Sequence, residues 1–110
     1  MQAPTGPPYG VLDRADGVSG GARMRGWAID PDTMDPIAVH LYVDGKPVKA
    51  VVANVVRPDV GAAYPIYTPT HGFDSVVPAS PGFHVFEAYA INAGLPGPNA
   101  YLGARVAQVL

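Results

Sequence analysis

The residues with chemistry to offer are few and scattered along the chain. Gly17-Val18-Ser19-Gly20-Gly21 has the letters of a nucleophile elbow, which needs a strand before its serine, a helix after it, and a histidine and an acid nearby. Here a glycine-rich loop runs into a strand, and 110 residues are too few for a hydrolase sheet, so the motif reads as a flexible first connection. Asp30, Asp32 and Asp35 form an acidic cluster in one loop. Alternating aspartates in a compact loop can supply the several oxygen ligands that calcium prefers. The loop lacks the glycine and distal glutamate of an EF-hand, and Pro31 and Pro36 stiffen it. The expectation is therefore capping of loop amides by Asx turns, with a weak Ca²⁺ site at these three residues as the alternative and no other cofactor.

His40, His71 and His84 fall on different elements, without the close spacing of a zinc site. They read as surface or edge histidines, with His40 lying across a strand pair from Glu87. Tyr64, Tyr67 and Tyr101 fall in or beside loops and are the exposed candidates for stacking against a ligand. Trp27, the only tryptophan, is expected to fill the core.

The elements that must position these residues are strands. With 13 Gly and 13 Pro spread throughout, long helices are nearly excluded. Short apolar runs remain at 10–12, 23–29, 37–43, 48–53, 73–77, 83–91 and 101–109, separated by turn residues such as Asp44-Gly45 and Pro81-Gly82. About seven strands at this spacing predict an all-β, antiparallel sandwich or barrel, with one short helical turn at 58–64 opened by Pro58. Alternation in 37–43 sets Ile37, Val39, Leu41 and Val43 on the core face and Ala38, His40 and Tyr42 on the other. A bulge at Gly26 would turn Met24, Trp27 and Ile29 inward together and leave Arg23 and Arg25 in water. The expected core is Met24, Trp27, Ile29, Val39, Leu41, Val43, Phe73, Val85 and Phe86.

Composition bounds the function. A net charge of −2 with 15% charged residues argues against nucleic acid, which demands clustered Lys and Arg. No apolar run approaches the roughly 20 residues of a membrane helix. With 48% apolar residues and no cysteine, a single core needs neither disulfide nor metal. Residues 1–8 read as a proline-rich linker and 9–110 as one domain. The first residues lack the basic start and apolar stretch of a signal peptide, so either the protein stays where it is made or it is one domain cut from a longer precursor, and a monomeric domain of a larger chain is the expectation.

The ordered set Gly26-Trp27-Ala28-Ile29-Asp30-Pro31-Asp32, Tyr42-Val43-Asp44-Gly45, Arg57-Pro58-Asp59-Val60, His71-Gly72-Phe73-Asp74, Pro81-Gly82-Phe83-His84 and Tyr89-Ala90-Ile91-Asn92 resembles a bacterial Ig-like module. The stretch 87–99 is similar to the last hairpin of fibronectin type III domains. The resemblance spans nearly the whole chain and implies an Ig-like β-sandwich, as found in exported cell-wall proteins of Gram-positive, actinobacterial-type organisms. It implies a non-catalytic spacer or adhesive role outside the cell or in the wall, with a wall polysaccharide or a protein as partner. It brings no catalytic residues. A carbohydrate- or calcium-dependent binding module, or a structural domain of a phage or particle, are the alternatives.

Overall fold

Asp44 and Gly45 both take positive φ, 52° and 80°, and this two-residue corner joins β3 (Ala38–Val43) to β4 (Lys46–Val52). The Asp-Gly hairpin expected from the sequence is therefore present. In the computed structural model, which describes residues 6–94 and 96–110, the remaining elements are β1 (Tyr9–Val18), β2 (Gly21–Ile29), β5 (Val55–Val56), α1 (Pro58–Ala63), β6 (Thr70–Pro78), β7 (Gly82–Ala90) and β8 (Ala100–Val109). They form two antiparallel four-stranded sheets, ordered β1-β2-β6-β5 and β4-β3-β7-β8. That order is the immunoglobulin arrangement, with β4 appended to the edge of the second sheet. Where β1 and β8 end side by side, Leu110 donates its N–H to the Val18 carbonyl at 3.1 Å and helps close the two layers.

The core lies between the sheets. Leu12, Met24, Val39, Leu41, Phe73 and Phe86 are sealed from solvent there. The alternation in β3 holds as expected, with Val39, Leu41 and Val43 inward and His40 and Tyr42 outward. In β2 the expectation holds for Met24, Arg23 and Arg25 and fails beyond Gly26, where Trp27 was expected inward. Ala22, Met24, Gly26 and Ala28 face the core, while Arg23, Arg25 and Trp27 share the outer face. No bulge forms at Gly26, where β2 pairs in unbroken register with β6. Gly26 sits opposite Phe73, whose ring lies where a side chain would go: a Cβ there would stand 2.6 Å from the ring tip. The bulge falls instead in β1, where the register shifts between Leu12 and Arg14 and leaves Asp13 as the extra residue.

Trp27 is thus not core filler, and the two layers are not clamped around an indole. Ile29 is buried, but in a second cluster with Val60 and Tyr67, and Trp27, Tyr9 and Tyr64 pack partly buried against it. The cause is nonlocal: α1 and the segment after it fold back over the outside of the first sheet and give that face apolar neighbours. Val85, also expected in the core, is 38% exposed, because β7 turns Phe86, Ala88 and Ala90 inward instead. The Gly17–Gly21 motif is the end of β1, a tight turn and the start of β2, with no helix after it. Residues 1–5 of the expected linker lie outside the described residues. At its described end Pro8 is buried and Gly6 donates its N–H to Asp32 Oδ1 at 3.3 Å. Among the described residues no helix is long and apolar enough to cross a membrane.

Candidate functional site

The tyrosines singled out from the sequence do not form one site. Tyr67 is buried rather than exposed, at 4% accessibility, and its hydroxyl donates to the Pro31 carbonyl at 3.1 Å. It is held down by the same apolar cluster that takes up Ile29 and Val60. Tyr64 is half-buried between Tyr9 and Trp27, with ring centroids 5.3 Å from each. Tyr101 lies on the outside of the other sheet, 52% exposed, stacked beside Tyr89 at 5.1 Å and donating its hydroxyl to Glu87 at 2.8 Å. Next to Tyr67, an apolar surface groove of about 430 Å³ is lined by Met34, Pro58, Gly61, Ile66 and Pro69.

Beside Trp27 the outer face of β1-β2-β6 is charged. Arg14 and Arg25 both reach Asp16, and Arg23 grips Asp74 through two bonds of 2.8 and 2.6 Å. Arg57, just before α1, bonds Asp59 through two nitrogens and turns its third toward Asp13 at 3.0 Å and the Gly26 carbonyl at 3.3 Å. The Arg57 guanidinium holds Asp59 below the usual carboxylate range, as Arg23 does for Asp74 and as Arg25 with Arg14 does for Asp16. The Asp59 and Asp13 carboxylates in turn raise Arg57. Four arginines meet four aspartates here, so the lattice neutralises itself and leaves no net charge to recruit an ion.

The acidic turn is built around a buried carboxylate. Asp30 is fully enclosed, with one oxygen accepting the Asp32 N–H at 3.0 Å as an Asx turn. Its other oxygen accepts the N–H groups of Ala93 and Gly94 at 2.8 and 3.2 Å, tying the turn after β2 to the loop after β7. Asp32 accepts from Gly6, while exposed Asp35 donates its own N–H to Thr33 Oγ1. Among the described residues no group of three His, Asp or Glu side chains is placed to hold a metal ion.

One constellation was missed from the sequence. Asp44, His84 and Ser80 line up as an acid, an imidazole and a hydroxyl. Asp44 Oδ2 makes a short bond to His84 Nδ1, and its other oxygen accepts the Val85 N–H at 2.9 Å. The Ser80 hydroxyl stands 3.2 Å from His84 Nε2. The same nitrogen, however, lies 2.8 Å from the Ser80 carbonyl, which can only accept. A carboxylate facing one nitrogen and a carbonyl facing the other both favour a proton on each nitrogen, the imidazolium form. Asp44 and the Ser80 carbonyl raise the His84 pKa accordingly, and His84 lowers that of Asp44. A ring with a proton on both nitrogens has no lone pair to take the serine proton, so the arrangement clamps the β3–β4 corner to the start of β7. Two turn dipeptides, Asp44-Gly45 and Pro81-Gly82, were the visible signal; their apposition was not.

The other histidines differ. His71 is fully buried, with Nδ1 unpaired and Nε2 3.4 Å from the Thr68 hydroxyl, and burial pushes its pKa down. His40 pairs across the sheet with Tyr89, and Tyr42 is the residue opposite Glu87, two residues from the expected register. No protein-family model matches the chain, and neither does any curated protein.

Proposed function

We propose that this chain is a non-catalytic, Ig-like accessory module of an exported bacterial protein, serving as a spacer or adhesive unit beside the cell wall. The observation that carries the non-catalytic part is the wiring of His84. The one place among the described residues where a serine, a histidine and an aspartate come together favours the imidazole as a double donor, which suits a structural clamp and not a general base. The part concerning export and the wall is supported by the resemblance of residues 26–32, 42–45, 81–84 and 89–92 to bacterial Ig-like modules.

Two measurements test the reading. Hydrolysis of activated esters by the purified chain is expected at the background rate and unchanged by Ser80→Ala; turnover that vanishes with Ser80→Ala would refute the non-catalytic assignment. Fused to a fluorescent reporter, the chain is expected to co-sediment with purified Gram-positive walls if it is adhesive. As a spacer it is expected instead to leave the sediment empty while tolerating replacement by an unrelated sandwich of the same length.

A further inference from the structure

The two outer faces of the sandwich differ in kind. On β1-β2-β6 the exposed surface carries the arginine–aspartate lattice. On β4-β3-β7-β8 the register places Val52 beside Ala38, Ala50 beside His40 and Tyr89, Tyr42 beside Glu87, and Val85 beside Val106. Phe83 is 73% exposed there, and Val106 66%. An antiparallel sheet that meets water on one face normally alternates apolar-in and polar-out. This one carries Phe83, Val85, Val106, Val52 and Ala50 outward beside only His40, Glu87 and Gln108 and three tyrosines, and clustered exposed apolar side chains mark an interaction site.

We propose that the outer face of β4-β3-β7-β8 pairs with the same face of a second copy of this chain, the two sheets packing face to face about a two-fold axis in the interface plane. This goes beyond the accessory-module reading and does not depend on it. Charge is the first argument for a second copy. Apart from tyrosine hydroxyls, the titratable groups on this face are His40 on β3 and Glu87 on the neighbouring β7. His40 makes no hydrogen bond or ion pair among the described residues, and Glu87 accepts only from Tyr101. An axis running between them sets the imidazole of each copy over the carboxylate of the other, so the face complements itself. With no lysine or arginine on it, the face offers an anionic polymer nothing to pair with. Aliphatic Val85 and Val106 and the Phe83 ring match another apolar sheet better than sugar hydroxyls.

Area sets the strength. Four strands about 4.8 Å apart and some 25 Å long cover roughly 500 Å² per copy, or about 1,000 Å² for the pair. That is the lower edge of specific interfaces, so a dissociation constant on the order of 10–100 µM is expected.

Sedimentation equilibrium of the full chain, from about 10 µM to about 1 mM, is expected to show a reversible monomer–dimer equilibrium in that range. Val106→Lys and Phe83→Lys are each expected to weaken it at least about tenfold while leaving circular dichroism unchanged. His40→Glu is expected to weaken it, and the swap His40→Glu with Glu87→Lys to restore it. If a variant does not fold, concentration-dependent NMR shifts of the unaltered chain decide the question; they are expected on 83–89 and 101–108. A chain that stays monomeric near 1 mM, that dimerises indifferently to Val106→Lys, or that binds a neutral glycan on this face as a monomer would overturn the proposal.

Discussion

His71 and His84 are the same residue type put to opposite electrostatic use. The pKa of His84 is raised by Asp44 and the Ser80 carbonyl, so its contribution is full below the unfolded value of 6.5 and is lost as pH rises through the folded one. Asp44 is lowered from 3.8, so its share is present above that value and is lost as pH falls through its folded pKa. The clamp is therefore strongest between those two unfolded values. His71 is buried and lowered, so its contribution is present above 6.5 and disappears as pH falls through its folded pKa. In denaturant titrations from about pH 8 to about pH 5, Asp44→Asn is expected to leave a stability that falls toward acid, and His71→Gln one that rises. Parallel profiles for the two variants would contradict these assignments. None of this was legible residue by residue. The sequence shows three histidines, but the difference between burial without an acceptor and a bond to a carboxylate is made by segments 40 positions apart, as with Asp44 and His84. Asp30 was more readable, since an aspartate in a loop between two strand runs favours an Asx turn, its carboxylate accepting the N–H two residues on.

At the level of elements, α1 is the least self-sufficient. Six residues are too few for a helix to hold by propensity, and no side chain caps its start. It is held by Val60, buried against Ile29 and Tyr67, and by Arg57, which ties the helix entry to β1 and β2. Arg57→Ala is expected to cost about 1–3 kcal/mol and to raise hydrogen exchange across 58–70 before the sheets open. Arg57→Lys is expected to rescue little, because an ammonium cannot reach Asp59, Asp13 and the Gly26 carbonyl together. Exchange in that segment unchanged by Arg57→Ala would show that Val60 suffices. Most strands were legible because the period-two pattern and the flanking Gly, Pro and Asp are local features, as is Pro58 at the first helical position. β5 was not, since Val55–Val56 is a strand only by virtue of pairing with β6. β1 ran past its apolar stretch to Val18 for the same reason, its polar half being paired with β2.

Across the whole molecule, the sandwich has one outer face built into the fold and one left bare, and substitutions should report the difference. Trp27→Ala is expected to cost about 2 kcal/mol in urea unfolding, less than a fully buried tryptophan, because the ring rests half-buried against Tyr9 and Tyr64. Val106→Lys is expected to leave the monomer within about 0.5 kcal/mol of the unaltered chain. Equal losses at both positions would mean that the second outer face is also covered within one chain. Composition and spacing alone settled that the chain is all-β, where its corners lie and which face of β3 is apolar, because turn preferences and alternation act over a few residues. How β2 continues past Gly26, where Trp27 and Tyr67 go, and which histidine has its pKa raised and which lowered were decided only when distant segments met. A strand with usable residues on both sides has no inner face until α1 and its following segment cover one side and a second sheet the other.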